Sequence, residues 1–356
     1  MIKNDDKKIS VILPVKNGDL SLLKRAISSV RTQTFPGFEI LLIDDGSEKP
    51  FAEELKTIAE TDDRIRLYHI APSGVSGARN FGIEKAEGDV ITLLDSDDVI
   101  SPVCFEEALL LLENSDAEAL WGGTWYFESS DLPELGKWMR RKTALGIEEL
   151  KAREVKLSSD RVHKTRAECI GEPFRFGENG YINRGIAARF IRKEVFEGGR
   201  NRFFLGIKMY EDAIWNLLML ENHKISYVQS IWYYYYNNEA SVSNRFNPDV
   251  LECMEVPLKM IREILDLEDP EEYTAYTRIL MDSLRYVYKC LFGHPKWKSL
   301  KKERKELSDH IYRSDPWNEI GSPRFQKFAG KRDQQKAELF RKHLLFLYWK
   351  LTWKNM

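Results

Sequence analysis

Within the first hundred residues, short apolar runs alternate with stretches of helical period. Residues 9–14, 38–44, 65–69 and 89–94 read as strands, and 20–33, 50–60 and 76–85 read as helices. Strand-then-helix repetition makes successive strands parallel, because a parallel neighbour needs a crossover of a dozen or more residues. The alternation predicts an open α/β sheet, and in such sheets ligands bind beyond the carboxyl ends of the strands. Those ends carry Pro14-Val15-Lys16-Asn17 after the first run, Asp44-Asp45-Gly46-Ser47 after the second and Asp95-Ser96-Asp97-Asp98 after the last.

Further along, residues 105–113 read as a helix and 119–127 as an aromatic strand, so the α/β unit extends past the last acidic motif. Residues 132–173 are charged and lack clean periodicity, as a variable excursion does. Order returns near Ile182; 210–220 reads as a helix opened by two acids and 225–236 as a strand. Beyond about residue 247 the pattern is helical, with helices expected at 256–265 and 273–291. The expected organisation is a domain over 1–246, with one half to about 128 and a second over 129–246. A helical region over 247–356 follows.

Hydrophobic residues at 43%, charged residues at 31% and a net charge of −2 fit folded protein and exclude both disorder and a nucleic-acid footprint. The four cysteines, Cys104, Cys169, Cys253 and Cys290, match neither CxxC nor zinc spacing, which predicts reduced thiols in a reducing compartment. The charged N-terminus fits no signal peptide, and no run reaches the roughly 18 apolar residues of a membrane span. A cytoplasmic location is expected. At the other end, basic residues from Arg324 to Lys342 lead into an apolar aromatic tail. On a helical wheel Leu344, Leu347, Tyr348 and Leu351 share one face, while Phe346, Trp349 and Trp353 lie on another. Peripheral contact with an anionic membrane and burial within the protein or an oligomer are both open readings of that tail.

Asp95 and Asp97 project from the end of an apolar strand, a placement suited to Mg²⁺ or Mn²⁺, hard cations that take one or two carboxylates plus substrate phosphates. In isolation the triplet reads first as a turn or helix cap. Asp45 can accept a hydrogen bond from a base or ribose, with Gly46 allowing close backbone approach. Small residues from Gly74 to Ala78 open a helix whose N–H groups and Arg79 can face a nucleotide, although helix packing also selects small residues.

The order of these pieces, from Ile9-Ser10-Val11-Ile12-Leu13-Pro14-Val15 through Asp44-Asp45-Gly46-Ser47, Ala78-Arg79-Asn80 and Ala86-Glu87-Gly88 to Asp95-Ser96-Asp97-Asp98, resembles glycosyltransferase family 2, inverting enzymes of the GT-A fold that build bacterial polysaccharides. The resemblance is close over the first hundred residues and looser to about 245. It implies that Pro14, Val15 and Asp45 hold the base and ribose, that Asp95 and Ser96 lie against the nucleoside, and that Asp97 coordinates Mn²⁺ or Mg²⁺ on the donor diphosphate. Lys16 departs from the aromatic residue common there. Glu211-Asp212 resembles the family's acidic pair, which makes Asp212 the catalytic base with Glu211 as the other candidate. Acids in a first helical turn also simply favour the helix dipole. The aromatic strand 232–236 and Ser241-Val242-Ser243 resemble the family's closing segment, with Arg245 as a diphosphate contact, but four tyrosines in a row suit a plain sheet edge or core first.

The resemblance implies a nucleotide-sugar donor, a UDP-sugar foremost, on the nucleotide-binding half to about 128, and a glycan or lipid-linked acceptor hydroxyl on the acceptor half over 129–246. The alternative is a non-catalytic binder of nucleotide sugar or of a partner enzyme, which predicts missing acids; Asp45, Asp95, Asp97 and Asp212 are all present. A dehydrogenase or P-loop kinase lacks its phosphate cradle here, since neither GxGxxG after a strand nor GxxxxGK[ST] occurs.

Overall fold

The computed structural model describes residues 8–128, 136, 143–157, 162–177, 180–182, 185–237, 247–292 and 301–352. The chain divides into two compact units. The first comprises 1–159, 173–206 and 218–238, and the second 160–172, 207–217 and 239–356.

The first unit is built on one mixed sheet. Strands β1 (Ile9–Val15), β2 (Phe38–Asp44), β3 (Ile65–His69) and β4 (Val90–Leu93) pair in parallel in the order β3-β2-β1-β4. Every residue of β1, β2 and β4 is buried, as parallel strands covered on both faces require. Between them run α1 (Leu20–Arg31), α2 (Lys49–Ala59) and α3 (Gly74–Lys85). Helix α1 starts where the Asp19 carboxylate accepts hydrogen bonds from Ser21 N (2.7 Å) and Leu22 N (3.2 Å), and it buries Leu23, Ala26, Ile27 and Val30 at helical spacing. Gly82 of α3 would place a Cβ 2.5 Å from Ile12, so only glycine lets α3 lie this close to β1.

Past β4 come β5 (Val99–Ile100), α4 (Cys104–Glu113), β6 (Ala119–Phe127), α5 (Ile147–Arg153) and β7 (Glu154–Lys156), followed by β8 (Arg175–Phe176), β9 (Gly180–Tyr181), β10 (Arg189–Arg192) and β11 (Ile225–Tyr236). The sheet continues β4-β10-β6-β11-β5, with β10 antiparallel to both neighbours and β11 parallel to β6. The sheet is thus parallel where the sequence pattern is regular and mixed beyond it.

The second unit is helical. It holds α6 (Val162–Ile170), the start of α7 (Glu211–Asn222), α8 (Val250–Ile264) and α9 (Pro270–Val287), then α10 (Lys301–Arg313), α11 (Pro323–Phe328), α12 (Lys331–Arg341) and α13 (Leu345–Thr352). Asp269 caps α9 through Glu271 N and Glu272 N, with Pro270 in the first turn where its missing N–H leaves no gap. Helix α8 begins six residues before the expected start at 256, with Pro257 inside it. Fully buried Glu272 of α9 receives His163 of α6 at 2.5 Å and Arg166 at 3.3 Å, so its charge is paired inside the helical packing. In the tail Leu345 and Trp349 are buried, with Trp349 against Tyr288 (5.1 Å), and Leu344, Leu347 and Tyr348 remain on the surface. Among the described residues no helix is long and apolar enough to cross a membrane.

Candidate active site

Strand β1 is flanked by β2 on one side and β4 on the other, so chain order reverses there and a crevice opens beyond the strand ends. Its walls are the turns after β1, β2 and β4. Pairing of β1 with β4 ends at Ile12↔Leu93, so Pro14 lies beyond that ladder, where a residue without an N–H is tolerated. Pro14 and Val15 are buried within β1, and Val15 O accepts from Asp45 N (3.0 Å), which ties this strand end to the next turn. Asn17 sits at φ 45 and fastens this turn to the next one: its N–H donates to Ser47 Oγ (3.0 Å), and its Oδ1 accepts from Glu48 N (2.8 Å).

Asp45 lies at the end of β2 and is only 5% exposed. Its Oδ1 accepts from Ser73 N (2.6 Å) and Ser73 Oγ (3.1 Å), and its Oδ2 from Gly74 N (3.1 Å). Lys16 Nζ stands 3.6 Å from Oδ2. The carboxylate therefore caps α3 from a distance, putting its charge at the positive end of the helix dipole. Beside it, Asp44 accepts from Ser47 N (2.9 Å) and pairs with His69 Nδ1 (2.8 Å). Burial opposes ionisation of Asp44, but the Ser47 and His69 hydrogen bonds outweigh it and hold the carboxyl below its usual range.

The turn after β4 carries the acidic triplet. Val90–Leu93 is wholly buried, but Asp95, Ser96 and Asp97 cannot follow into the core, and the chain turns as Asp98 N donates to Asp95 O (3.2 Å). Gly18 stands across the crevice, where a Cβ would lie 3.8 Å from Ser96 Oγ. Arg79 is 3% exposed and donates from Nη2 to Asp95 Oδ1 (3.2 Å), with its guanidinium over Phe203 at 5.2 Å. From α1, Arg25 Nη2 donates to Asp97 O (3.0 Å), and its guanidinium lies over Tyr236 (4.8 Å) and Phe127 (5.2 Å). Burial, then the neighbouring Asp95 charge, push the Asp97 carboxyl up to about 6. Such a carboxylate is short of positive charge, and that is the property a divalent cation satisfies. Among the described residues no three His, Cys, Asp or Glu side chains converge to hold a metal by themselves, so a cation on Asp97 would draw its remaining ligands from substrate and water.

Asp98 faces inward. It is 1% exposed, accepts from Tyr233 OH at Oδ2 (2.7 Å) and from Tyr236 N at Oδ1 (2.7 Å), and Tyr233 OH in turn accepts from Asp95 N (3.2 Å). Burial and then Asp95 and Asp97 raise its carboxyl well above the usual range, and burial followed by Asp98 raises the Tyr233 phenol. The end of β11 is thereby pinned to the acidic turn. Sequence reading did not find this pinning, nor the support from Arg25 and His69. The available signal was the fourth residue of Asp95-Ser96-Asp97-Asp98 together with the tyrosine run of β11.

Glu211 and Asp212 belong to the second unit, in the first turn of α7. Both are half-buried and follow Tyr210 (φ 62), whose hydroxyl meets Ser283 Oγ at 2.8 Å. Residues 241–245, including Arg245, and Trp353 lie outside the described residues.

The sequence profile of glycosyltransferase family 2 matches residues 10–189, half of the chain and all of the turns just described. The chain belongs to glycosyltransferase family 2. Among its relatives are the uncharacterized glycosyltransferase YibD of Escherichia coli, 27% identical over 67% of this chain and 64% of that protein, and the succinoglycan biosynthesis protein ExoW of Rhizobium meliloti, 34% identical over 36% and 43%. The chain spans between 18% and 64% of the length of the first curated relatives it matches. Crystallised TarS of S. aureus, in complex with UDP-GlcNAc, aligns over 98% of this chain and 91% of its own with a TM-score of 0.58 and 17% identity. The fold of this family 2 member is therefore GT-A, a mostly parallel sheet flanked by helices with a helical C-terminal region.

Proposed function

We propose that this protein transfers a sugar from a nucleoside-diphosphate donor, a UDP-sugar, to a hydroxyl of a glycan or lipid-linked saccharide, with inversion at the anomeric carbon. The observation that carries the reading is the Asp95–Asp98 turn. Three carboxylates stand at the switch point of the sheet, one of them raised to about 6, while Arg25, Arg79 and Tyr233 fix the turn from behind. Family membership and the crystallised complexes of TarS with UDP and UDP-GlcNAc support the choice of donor. In this reading Pro14, Val15 and Asp45 border the base and ribose, Asp95 and Ser96 lie against the nucleoside, and Arg79 orients Asp95. Asp97 would hold Mn²⁺ or Mg²⁺, which when bound neutralises charge growing on the diphosphate. Asp212, or its neighbour Glu211, accepts the proton of the acceptor hydroxyl as that oxygen bonds to the anomeric carbon and the bond to phosphate breaks.

Residues 1–246 carry the transfer in this reading and 247–356 are an appended helical region. The exposed Leu344, Leu347 and Tyr348, behind Arg341 and Lys342, form the surface that would touch an anionic membrane at its cytoplasmic side. Sedimentation with phosphatidylglycerol vesicles tests that part: a Leu344→Asp/Leu347→Asp protein that co-sediments like wild type removes it.

The first experiment on the site is calorimetric titration with UDP and with GDP, each with and without Mn²⁺. UDP binding that depends on Mn²⁺ and weakens at least about tenfold in Asp97→Ala is expected. Equal affinity in the two proteins overturns the assignment of Asp97.

A further inference from the structure

Strands β6 and β11 end side by side with their tyrosines in register, Tyr235 opposite Tyr126 and Tyr233 opposite Thr124, while Tyr181 of β9 also pairs with Thr124. Directly opposed residues share a face and every second residue returns to it, so Tyr126, Tyr181, Tyr233 and Tyr235 occupy one face of the sheet. Three of the four rings meet. Tyr126 stacks on Tyr181 (4.8 Å, 16°) and meets Tyr235 edge to face (5.0 Å, 76°). Tyr181 is 5% exposed, whereas Tyr126 is 50% exposed. The same face reaches the acidic turn, because Tyr233 donates to Asp98 at 2.7 Å.

A large aromatic surface that is braced from behind and half open in front loses little entropy on binding, and tyrosine adds a polar hydroxyl to an apolar ring. A pyranose has the matching character, with a face of C–H bonds and a rim of hydroxyls. Position separates this ligand from a nucleobase. Asp45 ends β2, and β2 is four strands from β6 through β1, β4 and β10, roughly 19 Å at the usual ~4.8 Å spacing. The acidic turn after β4 lies between them. A base near Asp45 and a diphosphate near Asp97 leave the saccharide end of the substrates on the side of β6 and β11.

We propose that Tyr126, backed by Tyr181 and Tyr235, is a pyranose-binding shelf that takes the ring of the donor sugar or of the acceptor saccharide. The proposal rests on the nucleotide-sugar reading of the neighbouring turns. Its test uses wild type, Tyr126→Ala and Tyr126→Phe, after thermal melts show that all three are folded. One arm titrates UDP, UDP-glucose, UDP-galactose and UDP-GlcNAc in the presence of Mn²⁺. The other records saturation-transfer NMR on maltose, cellobiose and chitobiose in the presence of UDP and Mn²⁺.

A donor-sugar shelf predicts that Tyr126→Ala weakens at least one UDP-sugar roughly three- to tenfold with UDP itself unchanged. An acceptor shelf predicts that Tyr126→Ala loses the signal from disaccharide ring C–H protons. Tyr126→Phe keeps the ring and behaves as wild type in either case. Tyr126→Ala matching wild type in both arms overturns the shelf, as does a wild type that binds UDP but shows no contact with any sugar. A wild type that binds no UDP refutes the underlying reading instead.

Discussion

Replacing Tyr233 by Phe removes one oxygen from a ring that is 1% exposed and leaves its packing otherwise intact. That oxygen makes two hydrogen bonds, donating to the Asp98 carboxylate (2.7 Å) and accepting from Asp95 N (3.2 Å). Each bond contributes about 0.5–1.5 kcal/mol, since burial opposes charge on Asp98, and the variant also orphans a buried carboxyl oxygen at about 1–3 kcal/mol. Tyr236 N still serves the other oxygen of Asp98, so the carboxylate is half satisfied. The expected loss is about 2–4 kcal/mol of unfolding free energy, read by urea denaturation with an unchanged m-value. The acidic turn loses its tie to β11 in the same step, so Mn²⁺-dependent UDP affinity should fall about tenfold, by calorimetry, with Mn²⁺-free nucleotide binding unaltered. A loss below about 0.5 kcal/mol together with wild-type affinity for UDP and Mn²⁺ would refute the reasoning, because the pinning would then carry neither stability nor position.

Gly46 sits at φ +74, and a Cβ there would lie 2.6 Å from Pro72 Cγ; Gly46→Ala should cost about 1–3 kcal/mol in a thermal melt, and an unchanged melt would mean the turn relaxes freely. Asp62 is held down to about 2, chiefly by the Arg64 side-chain hydrogen bonds, with Arg31 also in reach at 3.1 Å. Its folded value lies below the unfolded one, so its stabilisation is full above about pH 4 and is lost as pH falls toward about 2. Asp62→Asn should therefore cost about 1 kcal/mol at neutral pH, allowing for screening, and nothing in strong acid; a penalty independent of pH contradicts this. Asp212→Asn should keep UDP affinity and lose about a hundredfold or more in sugar transfer, and an active variant moves the base to Glu211.

The legible part of the fold is the part whose strands are buried on both faces. β1, β2 and β4 are largely apolar runs, and Asp95, Ser96 and Asp97 after the last of them force an exit from the core. β10 is different. Its sequence Arg-Phe-Ile-Arg looks like surface, yet Arg189 is fully buried, its guanidinium over Trp121 at 4.1 Å and bonded to Ala187 O (2.7 Å) and Gly185 O (2.8 Å). A buried cation satisfied by carbonyls and an aromatic face has no periodic signature. The site divides in the same way. Asp45 and Asp97 stand out as acids after strands, but the Asp98–Tyr233 bond joins residues 135 positions apart and exists only once β11 lies beside β6. His69 escapes notice because its partner, Asp44, lies on a neighbouring strand.

The placement of β10 between β4 and β6 also bears on how the chain can be made and cut. During synthesis β4 is complete by residue 93 and β6 by 127, but the strand that joins them is not finished until residue 192, and β11 not until 236. Until then β4 keeps one bare inner edge and β6 lacks both β10 and β11, the kind of unpaired apolar edge that recruits other chains. A fragment ending near residue 128 would hold every acid of the turns after β1, β2 and β4 and still be prone to aggregate. The shortest stretch able to close this sheet runs to the end of β11, well past the last of those acids.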